Sequence, residues 1–150
     1  MSMLSEFAED FFLFLESGFI AVNQSDEDSA VKLFQAAMLV DPKNSLSKVG
    51  LGYMHLHKLE ISKACSYFEE VLKEDPQNEM AKTFLGLALT MSPDKVTEGE
   101  KLLFQMEKSS DNLIRNLSTD ALSFVDNFVK KEPTPLDLQE AKGKRSGSVS

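Results

Sequence analysis

Over the first 130 residues the apolar side chains mostly recur three and four positions apart, the spacing that gives a helix one apolar face, and strict strand-like alternation is missing. The pattern breaks into seven stretches, near residues 4–23, 26–40, 45–57, 60–73, 79–91, 94–108 and 112–130. Ser25 with Asp28, Asn44 and Asn78 behind Pro42 and Pro76, and Ser92-Pro93 provide starting signals for helices. Helices of about 12 to 15 residues are marginal alone in water, so these must stack apolar faces on their neighbours. The expected fold class is all-α.

A period is superimposed on this pattern. Gly18, Gly52 and Gly86 are 34 residues apart in turn, and the same step links Pro42 to Pro76, Ala30 to Ala64 and Phe34 to Phe68. The first unit reads Phe14, Gly18, Ala30, Phe34, Ala37, Pro42, and the second Leu51-Gly52, Ala64, Phe68, Val71, Pro76. A third keeps Leu85-Gly86 and takes one extra residue near Ser92-Pro93, after which Gly99, Leu103 and Met106 fill the later positions and Asp111 replaces the proline. Glycine facing a small residue lets two helix axes approach closely while the aromatic fills the groove between ridges.

These positions resemble the tetratricopeptide repeat, with departures: Phe14, Lys48 and Lys82 stand at its Trp-type position and Ala21, His55 and Leu89 at its Tyr-type position. The resemblance implies three helix-turn-helix repeats in an α-solenoid, near residues 11–44, 45–78 and 79–111. Residues 112–130 would be a capping helix, with Leu113, Leu117, Leu122, Val125, Phe128 and Val129 covering the last repeat. One domain is therefore expected over residues 1–131. From Glu132 the prolines, Gly, Ser and Lys lack apolar periodicity, and residues 132–150 read as a solvated, disordered tail.

Charge removes one class of partner. The formal net charge is −8, and seven acidic residues precede the first basic one, Lys32, a field that repels nucleic acid. Phe11 to Leu15 is too short for a secretory or membrane segment and the amino terminus is acidic, so no membrane insertion and a cytoplasmic location are expected. Cys65 is the only cysteine, which excludes an internal disulfide, and it reads as a small buried thiol.

Catalytic chemistry finds no foothold in the sequence. His55 and His57 are two apart on one helix and point in different directions. No Cys/His ligand spacing, phosphate loop or nucleophile–base pair is present. The reading is a binding protein, not an enzyme, with no catalytic, metal or cofactor site.

In tetratricopeptide proteins the first helix of each pair lines a concave groove. Carried onto this chain, the resemblance places Phe12, Leu15, Phe19 and Val22, then Leu46, Val49, Tyr53 and Leu56, then Met80, Thr83, Leu87 and Thr90 along it. Ten of the twelve are apolar or aromatic, a lining suited to the apolar side of an amphipathic helix. Leu15, Phe19, Gly50, Met80 and Phe84 occupy the places where the family's carboxylate clamp needs Lys and Asn, which disfavours a clamped chain end. The alternative is that some of these residues, Phe12, Leu15 and Leu46 above all, belong to the core, or that a second copy of the chain or its own termini fill the groove. Five phenylalanines within the first nineteen residues also exceed what one helix needs for a single neighbour.

A small acidic chain of this kind is similar to the tetratricopeptide chaperones of bacterial type III secretion. Leu51-Gly52 with Lys58-Leu59, and Ala64, Phe68 and Val71-Leu72, look most like the needle-subunit chaperones of the YscG/PscG type. What the resemblance implies is a bacterial cytoplasmic protein whose groove clasps the amphipathic helix of a secreted needle subunit and prevents premature polymerisation. A small co-chaperone, and a homodimer in the cargo-free state, come with that implication. A chaperone of translocator proteins with the same fold, or a general interaction scaffold, remain open as alternatives.

Overall fold

The computed structural model describes residues 3–130 and Gly143, with side chains from Ala8 onward. Among these residues there are seven α-helices and no strand, in agreement with the hydrophobic pattern. They are α1 (Met3–Asn23), α2 (Glu27–Val40), α3 (Leu46–His57), α4 (Ile61–Glu74), α5 (Glu79–Thr90), α6 (Val96–Met106) and α7 (Asn112–Phe124), which runs into a π-helical turn (Val125–Val129). The tail expected over residues 132–150 lies outside the described residues, apart from Gly143.

The turns repeat at the same step as the sequence. After α1, Ser25 takes φ 60° while its N–H donates to Val22 O (2.9 Å) and the Asp26 N–H to Ala21 O (2.8 Å). Thirty-four residues on, Leu59 takes φ 60°, its N–H donates to Leu56 O (2.9 Å) and the Glu60 N–H to His55 O (2.9 Å). Both are left-handed helix terminations of the kind glycine usually supplies. The turns after α2 and α4 also match, with Asp41 N–H donating to Ala37 O (3.0 Å) and Asp75 N–H to Val71 O (2.8 Å). After α5 the match stops, because the extra residue there opens a turn with no left-handed residue.

Several boundaries differ from the expected ones. The cap of α2 is Asp26, whose carboxylate accepts from Ser29 N–H, since Ser25 is taken up by the left-handed turn. Pro93 stands in the turn ahead of α6, which starts three residues later at Val96, so it is not a first helical position. Asn78 caps α5 as expected (Ala81 N–H to Oδ1, 2.9 Å). The terminal helix keeps α-helical geometry only to Phe124.

Helix pairs close on glycine. A Cβ at Gly18 would sit 2.6 Å from Phe34 Cε1, one at Gly52 2.5 Å from Phe68 Cε1, and one at Gly86 3.0 Å from Leu103 Cγ. Phe34, Phe68 and Leu103 have no exposed surface. Each second helix thus seats a fully buried large apolar side chain directly on the backbone of the first, and each such side chain contributes about 1.5–3 kcal/mol by burial. Three core clusters follow one another along the chain, centred on Phe34, on Phe68 and on Leu103, and Leu87 packs against both of the last two.

Contacts run between chain neighbours and also along the odd-numbered helices, α1 to α3, α3 to α5 and α5 to α7. No comparable contact joins α2 to α4 or α4 to α6 among the described residues. Lys48, at a position where the resembling family carries an aromatic, ties α3 to α4 through Glu70 (3.1 Å) and Glu74 (3.0 Å).

Candidate protein-binding face

Because the odd helices touch one another, side chains on their shared side meet across helix boundaries. Phe19 of α1 lies 5.4 Å from Tyr53 of α3, ring centre to ring centre, and Tyr53 lies 5.3 Å from Phe84 of α5. Beneath this row, Phe19 packs edge-on against the buried Phe34 (5.3 Å) and Phe84 stacks on the buried Phe68 (5.8 Å). Tyr53 donates from Oη to Asn23 Oδ1 (2.7 Å), so the polar tip of the ring is held at the surface. All three rings are half-buried, anchored from below and open above. Ring pairs at these separations contribute about 0.5–1.5 kcal/mol beyond area burial, which makes the row a stiff surface.

The residues assigned to the groove from sequence separate into three groups. Leu15, Val22, Val49 and Leu56 are buried in the core, as are Thr83 and Thr90. Phe19, Leu46, Tyr53, Met80 and Leu87 are half-buried, and Phe12 is 56% exposed. The two threonines satisfy their hydroxyls within α5, Thr83 Oγ1 on Glu79 O (2.8 Å) and Thr90 Oγ1 on Leu87 O (2.6 Å), so neither presents a donor to a partner. Phe12 lies against Phe11 (5.4 Å) on α1, and no ring contact joins it to the row.

Phe84 is the residue that the groove assignment missed. The 34-residue step from Phe19 to Tyr53 lands on Leu87, whereas the ring that continues the row belongs to Phe84, one helical turn earlier. An aromatic one turn from the periodic position was the available signal.

At the carboxy-terminal ends of α1 and α3 the face is bordered by charge. Lys58 Nζ reaches Glu27 Oε1 (2.8 Å) and Glu60 Oε1 (2.6 Å), and Lys63 Nζ reaches Glu60 Oε2 (2.8 Å). The hydrogen bonds from Lys58 and then Lys63 lower the Glu60 carboxyl to about 2. His55 stacks on Tyr67 (5.4 Å) and is half-buried, while His57 is exposed, so the two imidazoles sit in different environments. Among the described residues no three His, Cys, Asp or Glu side chains gather as metal ligands would. Cys65 is half-buried, less enclosed than expected, and burial, with Glu69 next, pushes its thiol up. No helix among the described residues is long and apolar enough to cross a membrane.

These features define an all-helical protein with a half-buried aromatic row across its odd helices. No family model matches the chain, and no curated protein matches it in sequence.

Proposed function

We propose that the chain is a tetratricopeptide-like solenoid whose odd-helix face holds an amphipathic helix of another protein. The observation that carries this reading is the row Phe19–Tyr53–Phe84, three rings from three helices, supported from below and open above. The matching turns at Ser25 and Leu59 and the glycine–aromatic seats at Gly18 and Gly52 support a repeat architecture. Among the described residues, contact among odd helices without comparable contact among even ones is what a coil produces when the odd helices lie on its inner side. Covering the row removes apolar surface from water at about 25 cal/mol per Å².

In keeping with the sequence resemblance, the partner is a self-assembling needle subunit of bacterial type III secretion, and the protein is its chaperone. The mechanism is concealment: the subunit's apolar stripe, which would otherwise drive polymerisation, is held against the aromatic row. No reaction is involved. Co-expression with such a subunit should give a soluble equimolar complex, lost on Tyr53→Glu while far-ultraviolet circular dichroism stays that of the native chain. A complex that survives Tyr53→Glu refutes the assignment of the face, and loss of helicity in the same variant means the row is core.

A further inference from the structure

We propose that the outer side of α7 and its π-helical turn is a second docking surface, for a partner helix with aliphatic residues at i, i+4, i+7 and i+11 and a Lys or Arg among them. α7 buries Ile114, Ser118, Ala121 and Leu122, and Val125 follows in the turn. A second apolar stripe runs beside this one, made of Leu113, Leu117, Phe124 and Phe128. At α-helical geometry Leu113, Leu117 and Phe124 fall within about 40° of one another and span about 16 Å, and the π-helical turn carries Phe128 onto the same side, its ring stacked on Phe124. Leu113 is 55% exposed and Phe128 76%, and the Phe124 and Phe128 rings stack at 5.2 Å, so the surface is formed before anything binds. Exposed apolar stripes of this length mark contact sites.

Register indicates what belongs there. Leu117 and Phe124 stand 69 residues after Lys48 and His55, one step of 34 and one of 35. In α3 those two face the following helix: Lys48 pairs with Glu70 and Glu74, and His55 stacks on Tyr67. Leu89, 35 residues before Phe124, is only 4% exposed. The side that receives a following helix in α3 is therefore open in α7. The sequence beyond Lys130 offers Leu136, Leu138, Ala141 and Val149 behind Pro133 and Pro135, and Leu136 and Leu138 are two apart, which no helix places on one face.

Charge selects among occupants. Asp120 sits midway along the stripe, exposed, and its side chain has no ion pair or hydrogen bond. A second copy laid antiparallel on the same stripe would set Asp120 against Asp120, and like charges across a contact disfavour it. A basic residue at that point would be matched, and a net charge of −8 steers a basic helix toward the chain. This face is distinct from the aromatic row, so the two stand or fall separately.

The test is fluorescence anisotropy of the full chain with a labelled designed helical peptide. Its leucines occupy the four spacings above, with one lysine on the same face, and a twin peptide carries glutamate there. The lysine peptide should bind at least tenfold more tightly than its twin, and Asp120→Lys should reverse the order. Leu113→Ser with Phe128→Ser should weaken binding at least tenfold, whereas Tyr53→Glu should leave it unchanged. Absence of saturable binding, indifference to the charge swap, or loss on Tyr53→Glu in place of Phe128→Ser overturns the proposal. Self-association abolished by Phe128→Ser also overturns it, in favour of a second copy, and tighter binding on Leu136→Ser with Leu138→Ser would assign the face to the chain's own sequence.

Discussion

Replacing Gly52 by alanine sets two effects against each other. Alanine in a helix interior is favoured over glycine by about 1 kcal/mol. The new Cβ, however, would lie 2.5 Å from Phe68 Cε1 and 2.9 Å from both Cδ1 and Cζ, where comfortable carbon contacts start near 3.5 Å. The Phe68 ring must then retreat by about 1 Å, and with no exposed surface it is enclosed on every side. Overpacking of this kind costs about 1–3 kcal/mol, and with three atoms of an enclosed ring under 3.0 Å the upper part of that range, about 2–3 kcal/mol, applies; less the propensity gain, Gly52→Ala should destabilise by about 1–2 kcal/mol. Shortening the ring removes the obstacle: in a Phe68→Leu background the same substitution should be neutral or stabilising. The coupling between the two sites is then about 2 kcal/mol, read from urea unfolding of the four chains by far-ultraviolet circular dichroism. A Gly52→Ala chain that is stabilised by the full propensity gain, or equal effects in both backgrounds, would refute the close seat.

Leu59 holds a left-handed conformation that costs a branched side chain about 1 kcal/mol, and its side chain is 72% exposed, so Leu59→Gly should raise stability by about 0.5–1 kcal/mol in the same unfolding assay. A loss of stability would mean the leucine makes a contact that outweighs its backbone. Glu60, lowered to about 2 from an ordinary value of 4.5, binds its proton more weakly folded than unfolded. What it contributes to stability is therefore complete above about pH 4.5 and disappears as pH falls toward 2. Carboxyl titration by nuclear magnetic resonance should place its midpoint near 2 and move it upward in Lys58→Ala. A midpoint near 4.5 in the native chain contradicts the ion-pair geometry.

Much of this arrangement was legible in the sequence, and the failures have specific causes. Seven helices emerged from apolar period together with punctuation at some of their ends: Asp41-Pro42 after α2, Asp75-Pro76 after α4 and Asn78 ahead of α5, whereas α3 ends at Lys58-Leu59 and was marked by its period alone. The glycine–aromatic seats showed as a 34-residue step because the close approach at Gly18 and Gly52 tolerates no Cβ at its present spacing. Leu113 and Phe128 were read with the core stripe of the terminal helix. They lie on a neighbouring stripe, while Ile114, Ser118 and Ala121 do the packing, and a serine and an alanine carry little hydrophobic signal. The candidate face was harder to read, since on α3 Val49 and Leu56 point inward and Tyr53 outward although all three follow one helical spacing. Neighbouring faces of a short helix differ by a single residue step, and only the packing of α1, α3 and α5 together decides which of these side chains stays open.

The central claim, that the aromatic row holds a partner's helix, is tested most directly by placing a photo-crosslinking phenylalanine analogue at position 84 and irradiating the chain in cells of its native host. One dominant adduct is expected, to a small helical self-assembling protein, and it should disappear when Tyr53→Glu is introduced alongside. An adduct that persists with Tyr53→Glu, or crosslinks only within the chain itself, would contradict it.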